Sequence, residues 1–160
     1  MDEAVLEIAR IVRNAGGRAF LVGGCVRDQL LGAEPKDFDL EVFGISIDEV
    51  KLALGEHYRL DLVGASFGVI KLHGLDVDIA LPRRETKLGL GHKAFETECD
   101  PCLSVRDAAA RRDFTVNGLF YDIKDFSVID WVGGMDDLNK RIIRAIGEPD
   151  IRFPEDPVRM

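Results

Sequence analysis

The stretch from Leu21 to Phe43 constrains this chain most, because it reads as a buried strand, a glycine turn, a short helix, a loop and a second strand in close succession. An apolar run, Ala19 to Val22, meets Gly23-Gly24 and must stop there as a strand buried on both faces. Val26, Leu30 and Leu31 then give a short helix that ends at Gly32. A second strand follows, in which Phe38, Leu40 and Val42 alternate with Asp37, Asp39 and Glu41. Period-2 geometry puts the three carboxylates on one face and the apolar residues on the other. Same-face neighbours lie about 6.6 Å apart, so each like-charge pair costs roughly 2.5 kcal/mol at an effective dielectric near 20. Water on that face reduces the cost, and a cation between the groups reverses it. Taken alone, the pattern fits a solvated edge strand and a cation site equally well.

A chain of 160 residues, 46% hydrophobic and 31% charged, is long enough for one domain with a real core. No apolar run reaches the roughly 18 residues that span a bilayer. The acidic start, Met-Asp-Glu-Ala-Val, lacks the layout of a signal peptide, so a cytoplasmic location is expected. Three cysteines, an odd number, argue against a disulfide framework. Cys99 and Cys102 have CxxC spacing, but no second pair exists to complete a tetrahedral metal site, and the flanking residues do not fit a redox strand-to-helix turn. With a formal net charge of −8 the domain would repel a polyanion unless its basic residues cluster or another module does the gripping, and a divalent metal would offset part of the acidity.

Along the chain, Val5, Ile8, Ala9 and Val12 mark an amphipathic helix over 3–15, closed by Gly16-Gly17. Ser46 opens another helix, ending at Gly55. Strands are expected over 58–63, 67–72 and 75–81, the last two joined at His73-Gly74 as a hairpin. On the last strand Asp76 and Asp78 share the face opposite Val77, Ile79 and Leu81. Residues 84–103 lose all periodicity and read as a long mobile loop. Ser104 caps a helix to Ala110, Phe114 to Phe120 continues the core, and short strands follow at 121–122 and 128–130. A helix over 135–140 and a strand over 142–145 complete the pattern. At the end, Asp156 and Pro157 have the signature of a helix start with less than one turn after it, so the chain is expected to be the front part of a longer protein.

Three features converge on phosphate chemistry. The Gly23-Gly24 turn precedes a helix N-terminus, where unpaired N–H groups and the helix dipole favour an anion. Arg27, one turn in, brings a fork of donors to the same place. Two strands each carry a pair of carboxylates, Asp37/Asp39 and Asp76/Asp78, and neighbouring strands would offer hard oxygen ligands to divalent ions. These are the parts of phosphoryl or nucleotidyl transfer.

Gly23-Gly24-Cys-Val-Arg27-Asp28-Gln-Leu-Leu-Gly32 with Asp37-Phe-Asp39 resembles the first motif of the class II tRNA nucleotidyltransferase and bacterial poly(A) polymerase family. Arg111-Arg112-Asp113-Phe-Thr-Val-Asn117 resembles its second motif, Asp130-Trp-Val-Gly-Gly134-Met-Asp-Asp137-Leu138 its hinge motif, and Glu155-Asp156-Pro157-Val-Arg159 the opening of the next. The resemblance runs from about residue 19 to the end. It implies an α+β chain with the polymerase-beta-like nucleotidyltransferase fold, a mixed and mostly antiparallel sheet flanked by helices. Residues 1–145 would be the catalytic head and 146–160 the start of a helical neck.

The resemblance also implies roles. Asp37 and Asp39 would bind catalytic Mg²⁺. Asp78 would be the third carboxylate, assisting the metals or the attacking 3′-hydroxyl. Gly23, Gly24, Arg27 and Arg112 would contact the nucleotide, with Asp113 and Asn117 near the sugar and the motif's own scaffold. Glu41 stands where the family commonly has an apolar residue, so it reads as solvated or supporting rather than a ligand, as does Asp76. The implied reaction is attack of a tRNA 3′-hydroxyl on the α-phosphate of CTP or ATP, with RNA held mainly by regions beyond residue 160. A full-length loop at 84–103 accompanies terminal A addition in this family, which favours CCA- or A-adding activity. The alternatives are a poly(A) polymerase of the same family, a small nucleotidyltransferase acting on a drug or protein hydroxyl, and a nucleotide-binding module without catalysis.

Overall fold

The first strand, β1 (Arg18–Val22), lies inside a seven-stranded sheet. The computed structural model describes residues 2–65, 68–87 and 95–150. Beside β1 run β2 (Phe38–Phe43) and β8 (Phe120–Asp122), both antiparallel to it. β9 (Ser127–Ile129) extends the β8 edge. On the far side of β2 come β5 (Val77–Ala80), β4 (Val69–Leu72) and β3 (Leu60–Asp61). β2 and β5 pair in parallel, and the other pairings of this sheet are antiparallel.

Each face of the sheet buries its own core. Under one face lie α1 (Glu3–Asn14) and α3 (Ile47–Gly55), which set Val5, Ile8, Val12, Val50 and Leu54 against Leu21, Leu40, Val42, Ile70 and Ile79. Asp2 caps α1 by accepting from the Ala4 amide at 2.7 Å, and Ser46 and Glu49 cap α3 with a reciprocal capping box. The other face gathers Phe20, Phe43 and Phe120 in edge-on and tilted contacts at 5.5–6.3 Å. Ala108 and Ala109 of α4 (Val105–Ala110) cover them, small enough to let the helix sit close. Ser104 caps α4 through the Asp107 amide. A 3₁₀ turn (Thr115–Asn117) leads into β8, and α5 (Gly134–Lys140) packs on that turn.

Two expectations need correction. Residues 84–103 are not a featureless loop: β6 (Arg83–Lys87) and β7 (Phe95–Cys99) pair antiparallel from Arg83–Cys99 to Lys87–Phe95. Arg84 ties the base of this hairpin to Asp100 at 2.7 Å. The two strands form a sheet of their own, so no buried face imposes alternation on their sequence. Residues 142–145 are not a strand. Arg141 takes a left-handed conformation (φ 57°), Arg144 turns to Asp137 at 2.8 Å, and pairing is confined to one bridge, Phe114 with Ala145. The Glu155–Arg159 segment lies outside the described residues.

Candidate active site

The site grows from the register of β2 on β5. Phe38 pairs with Val77, Asp39 with Asp78 and Leu40 with Ile79. Leu40 and Ile79 are fully buried, so the pleat sends Asp39 and Asp78 together to the opposite face. One step along β2, Glu41 faces the same way, next to Phe20 of β1. These groups line a recess of about 400 Å³ with Val22, Arg83, Arg111 and Arg112.

Gly23 closes one side. It precedes α2 (Gly24–Leu30) with φ 72° and ψ −139°, a conformation open to glycine at little cost. A β-carbon placed on it would lie 3.7 Å from Arg112 Nη1 and 3.7 Å from Asp39 Oδ2, so this backbone stands between a guanidinium and a carboxylate. Gly24 abuts the Arg27 guanidinium. Arg27 donates to Asn117 Oδ1 at 2.9 Å and to Asp28 Oδ1 at 2.8 Å. Asn117 in turn donates to Asp113 Oδ1 at 3.2 Å, and that same oxygen accepts the Phe114 amide at 2.7 Å.

Electrostatics single out Asp39. Its carboxyl is held above the ordinary carboxylate range, first by desolvation; Arg112 opposes the rise, and Asp37 and Asp78 add to it. The residue is nonetheless exposed to solvent, so the desolvation comes from the surrounding walls of the recess and not from burial of the side chain. Asp37 is exposed at the entry of β2. Asp78 accepts from Lys71 Nζ at 2.7 Å. Cys25, just under the turn, donates its thiol to the Val22 carbonyl, and burial pushes its pKa up, which keeps it an inert packing group.

The predicted residues thus fall into two linked groups. Asp39, Asp78 and Arg112 meet in the recess with Gly23 beside them, while Asp37 lines an adjoining hollow with Asp61, Lys71, Asp76 and the same Asp78. Arg27, Asn117 and Asp113 form a hydrogen-bonded chain that fixes α2 to the 3₁₀ turn. Of the two expectations for Glu41, solvated or supporting, the geometry fits the second: only 7% exposed, it accepts from Arg112 at 2.6 Å. Lys71 was missed, although its alternation with Ile70 and Leu72 across the His73-Gly74 turn aims it at the Asp78 face. Among the described residues, no group of three or more His, Cys, Asp or Glu side chains is close enough to hold a metal by itself. Hard oxygens from two carboxylates suit a divalent ion whose shell is completed by phosphate oxygens.

Comparison with known proteins agrees with this geometry. Poly(A) polymerase I of Salmonella typhi is 36% identical over 173 residues, covering 100% of this chain and 36% of that protein. The multifunctional CCA protein of Xanthomonas campestris pv. campestris (strain B100) is 38% identical over 143 residues, covering 89% of this chain and 33% of that protein. The chain therefore spans about a third of the length of these curated relatives. The crystal structure of the Bacillus stearothermophilus CCA-adding enzyme in complex with CTP superposes with a TM-score of 0.79 at 27% identity, over 100% of this chain and 38% of that one. The α+β architecture is accordingly the polymerase-beta-like nucleotidyltransferase fold. The family model of the poly A polymerase head domain matches residues 19–144, from the second residue of β1 to beyond α5, and the chain belongs to that family.

Proposed function

We propose that this chain is the nucleotidyl-transferring head of an enzyme that adds C and/or A to a tRNA 3′ end from CTP and ATP. The observation that carries the reading is the in-register pair Asp39–Asp78 on adjacent parallel strands, with Arg112 and the Gly23 turn beside it. The similarity to a CCA-adding enzyme in complex with CTP supports the choice of substrate.

Nucleotidyltransferases of this family use divalent metals. Here Asp37 and Asp39 are the ligands we assign to Mg²⁺, which when bound neutralises phosphate charge and activates the attacking oxygen. Asp78, in register with Asp39, would assist the metals or the attacking 3′-hydroxyl. The backbone amides of Gly23 and of Gly24, the first residue of α2, would donate to triphosphate oxygens. Arg112, held by Glu41, presents its guanidinium to the same phosphates. Arg27 contacts the nucleotide while Asn117 and Asp113 hold it in place, since their side-chain oxygens are engaged within the chain. The 3′-hydroxyl attacks the α-phosphorus and pyrophosphate leaves. The chain's own residues contribute mainly positioning and charge placement.

Residues 1–145 are the head in this reading and 146–160 begin the neck, with RNA held mainly by regions outside 1–160. That division answers the −8 charge, because the head need not grip a polyanion alone. No helix among the described residues is long and apolar enough to cross a membrane, and a cytoplasmic site of action fits a tRNA substrate. Poly(A) addition is the second reading, favoured by 36% identity to poly(A) polymerase I across the whole chain.

CTP and ATP binding, titrated with and without Mg²⁺ in the wild type and Asp39→Ala, tests the reading. Mg²⁺-dependent binding that is lost in the variant is expected. Unchanged binding and transfer would leave a module whose acidic face is structural. Incorporation into transcripts ending before CC, at CC and at unrelated 3′ ends separates CCA from poly(A) addition.

A further inference from the structure

Four charged residues stand in one row across the sheet. Asp61 of β3 pairs with Lys71 of β4, Lys71 with Asp78 of β5, and Asp78 with Asp39 of β2. Directly opposed residues share a face, with Cα atoms roughly 5 Å apart, so the ammonium sits between two carboxylates. In this structure it is on Asp78, at 2.7 Å. Asp61 uses Oδ1 to accept the Val63 amide at 3.0 Å, which fixes its carboxylate in place. Both members of the Lys71–Asp78 pair are well exposed, at 61% and 39%, so the pair contributes little to stability. Its effect falls instead on the carboxylate it neutralises.

We propose that Lys71 is a tethered cation that competes with the divalent ion for Asp78 and moves toward Asp61 when the ion enters. The inference rests on the metal-binding reading of Asp39 and its neighbours. Lys71 is thus a positioning residue: it acts through Asp78 and touches neither substrate nor reacting atoms. In the metal-free state it offsets the repulsion between Asp78 and Asp39. In the loaded state, with its charge shifted one strand away, Asp78 is released to the site. Asp61 provides the second resting place.

The test is Mn²⁺ binding without nucleotide, read from the free-ion electron paramagnetic resonance signal. Lys71→Met should bind Mn²⁺ tighter, on the order of tenfold, because a competing positive charge is gone. Lys71→Arg should stay near wild type. Asp61→Asn should weaken binding a few-fold in the wild type and much less in the Lys71→Met background, since its effect runs through the ammonium. Unchanged or weaker binding in Lys71→Met, or an Asp61→Asn effect of equal size in both backgrounds, overturns the proposal. Mn²⁺ binding that survives Asp39→Asn overturns the metal site itself. Loss in Asp39→Asn with no response to Lys71→Met overturns the tethered cation alone.

Discussion

Arg112 and Glu41 form an ion pair of unequal members: the carboxylate side chain is 9% exposed and the guanidinium 30%, with 2.6 Å between Nη2 and Oε2. Removing one partner therefore costs differently from removing the other. Arg112→Ala strands a buried carboxylate and should cost about 3 kcal/mol. Glu41→Ala leaves a guanidinium that can turn to water, at a cost of about 1 kcal/mol. Denaturant melts of the two variants should rank in that order. Equal losses would show that Glu41 reaches solvent more easily than its burial indicates.

Asp39 should make the native state less stable when ionised. A carboxyl whose folded pKa lies above its unfolded one binds more protons folded than unfolded between the two values, so stability there falls as pH rises. At neutral pH its charge is therefore a cost. Asp39→Asn should leave the melting temperature equal or higher while abolishing nucleotide incorporation. A large drop in melting temperature would mean that the carboxylate holds the fold.

Asp130 has the opposite sign. Burial works to raise its pKa, but the amides of Met135, Gly134, Val132 and Gly133 outweigh it and the carboxyl is held low. The donors lie at 2.8–3.1 Å, three on Oδ1 and one on Oδ2. Its stabilisation is present above the unfolded carboxylate pKa and is lost as pH falls through the lowered folded value. Asp130→Ala should cost about 2 kcal/mol at neutral pH. The penalty should fade in strong acid, which melts run from neutral to acidic pH would follow.

Gly134 has no room for a side chain. A β-carbon there would stand 2.2 Å from the Thr115 carbonyl oxygen and 3.0 Å from Leu119 Cδ2. Gly134→Ala must push α5 off the 3₁₀ turn, at a cost of about 3 kcal/mol. Because that turn carries Asn117, which holds Arg27, the same variant should also weaken CTP binding. Calorimetry at a temperature where the variant stays folded separates the two effects. Wild-type affinity there would break the proposed link.

What the sequence revealed followed the physics of short range. Alternation, caps and glycine stops located α1, α3, α4 and the β4–β5 hairpin, and the Asp37–Glu41 alternation gave the correct faces of β2. Burial of Glu41 was not legible, because alternation assigns a face without saying what covers it. The partner that lies over it, Arg112 just beyond α4, arrives about seventy residues later. The β6–β7 hairpin was missed because a sheet of two strands imposes no apolar period. Lys71 was overlooked for a different reason: a single cation on a strand has meaning only once its cross-strand partners are known.

The place of β1 inside the sheet has a consequence for how the chain is made. Its β8 edge, Phe20 to Val22, finds Asp122, Tyr121 and Phe120 only near the end of the described chain. At synthesis rates of about 5–20 residues per second, the roughly 100 intervening residues leave that apolar edge open for about 5–20 s. Until then the nascent polypeptide presents an unpaired hydrophobic strand, the template on which foreign strands add.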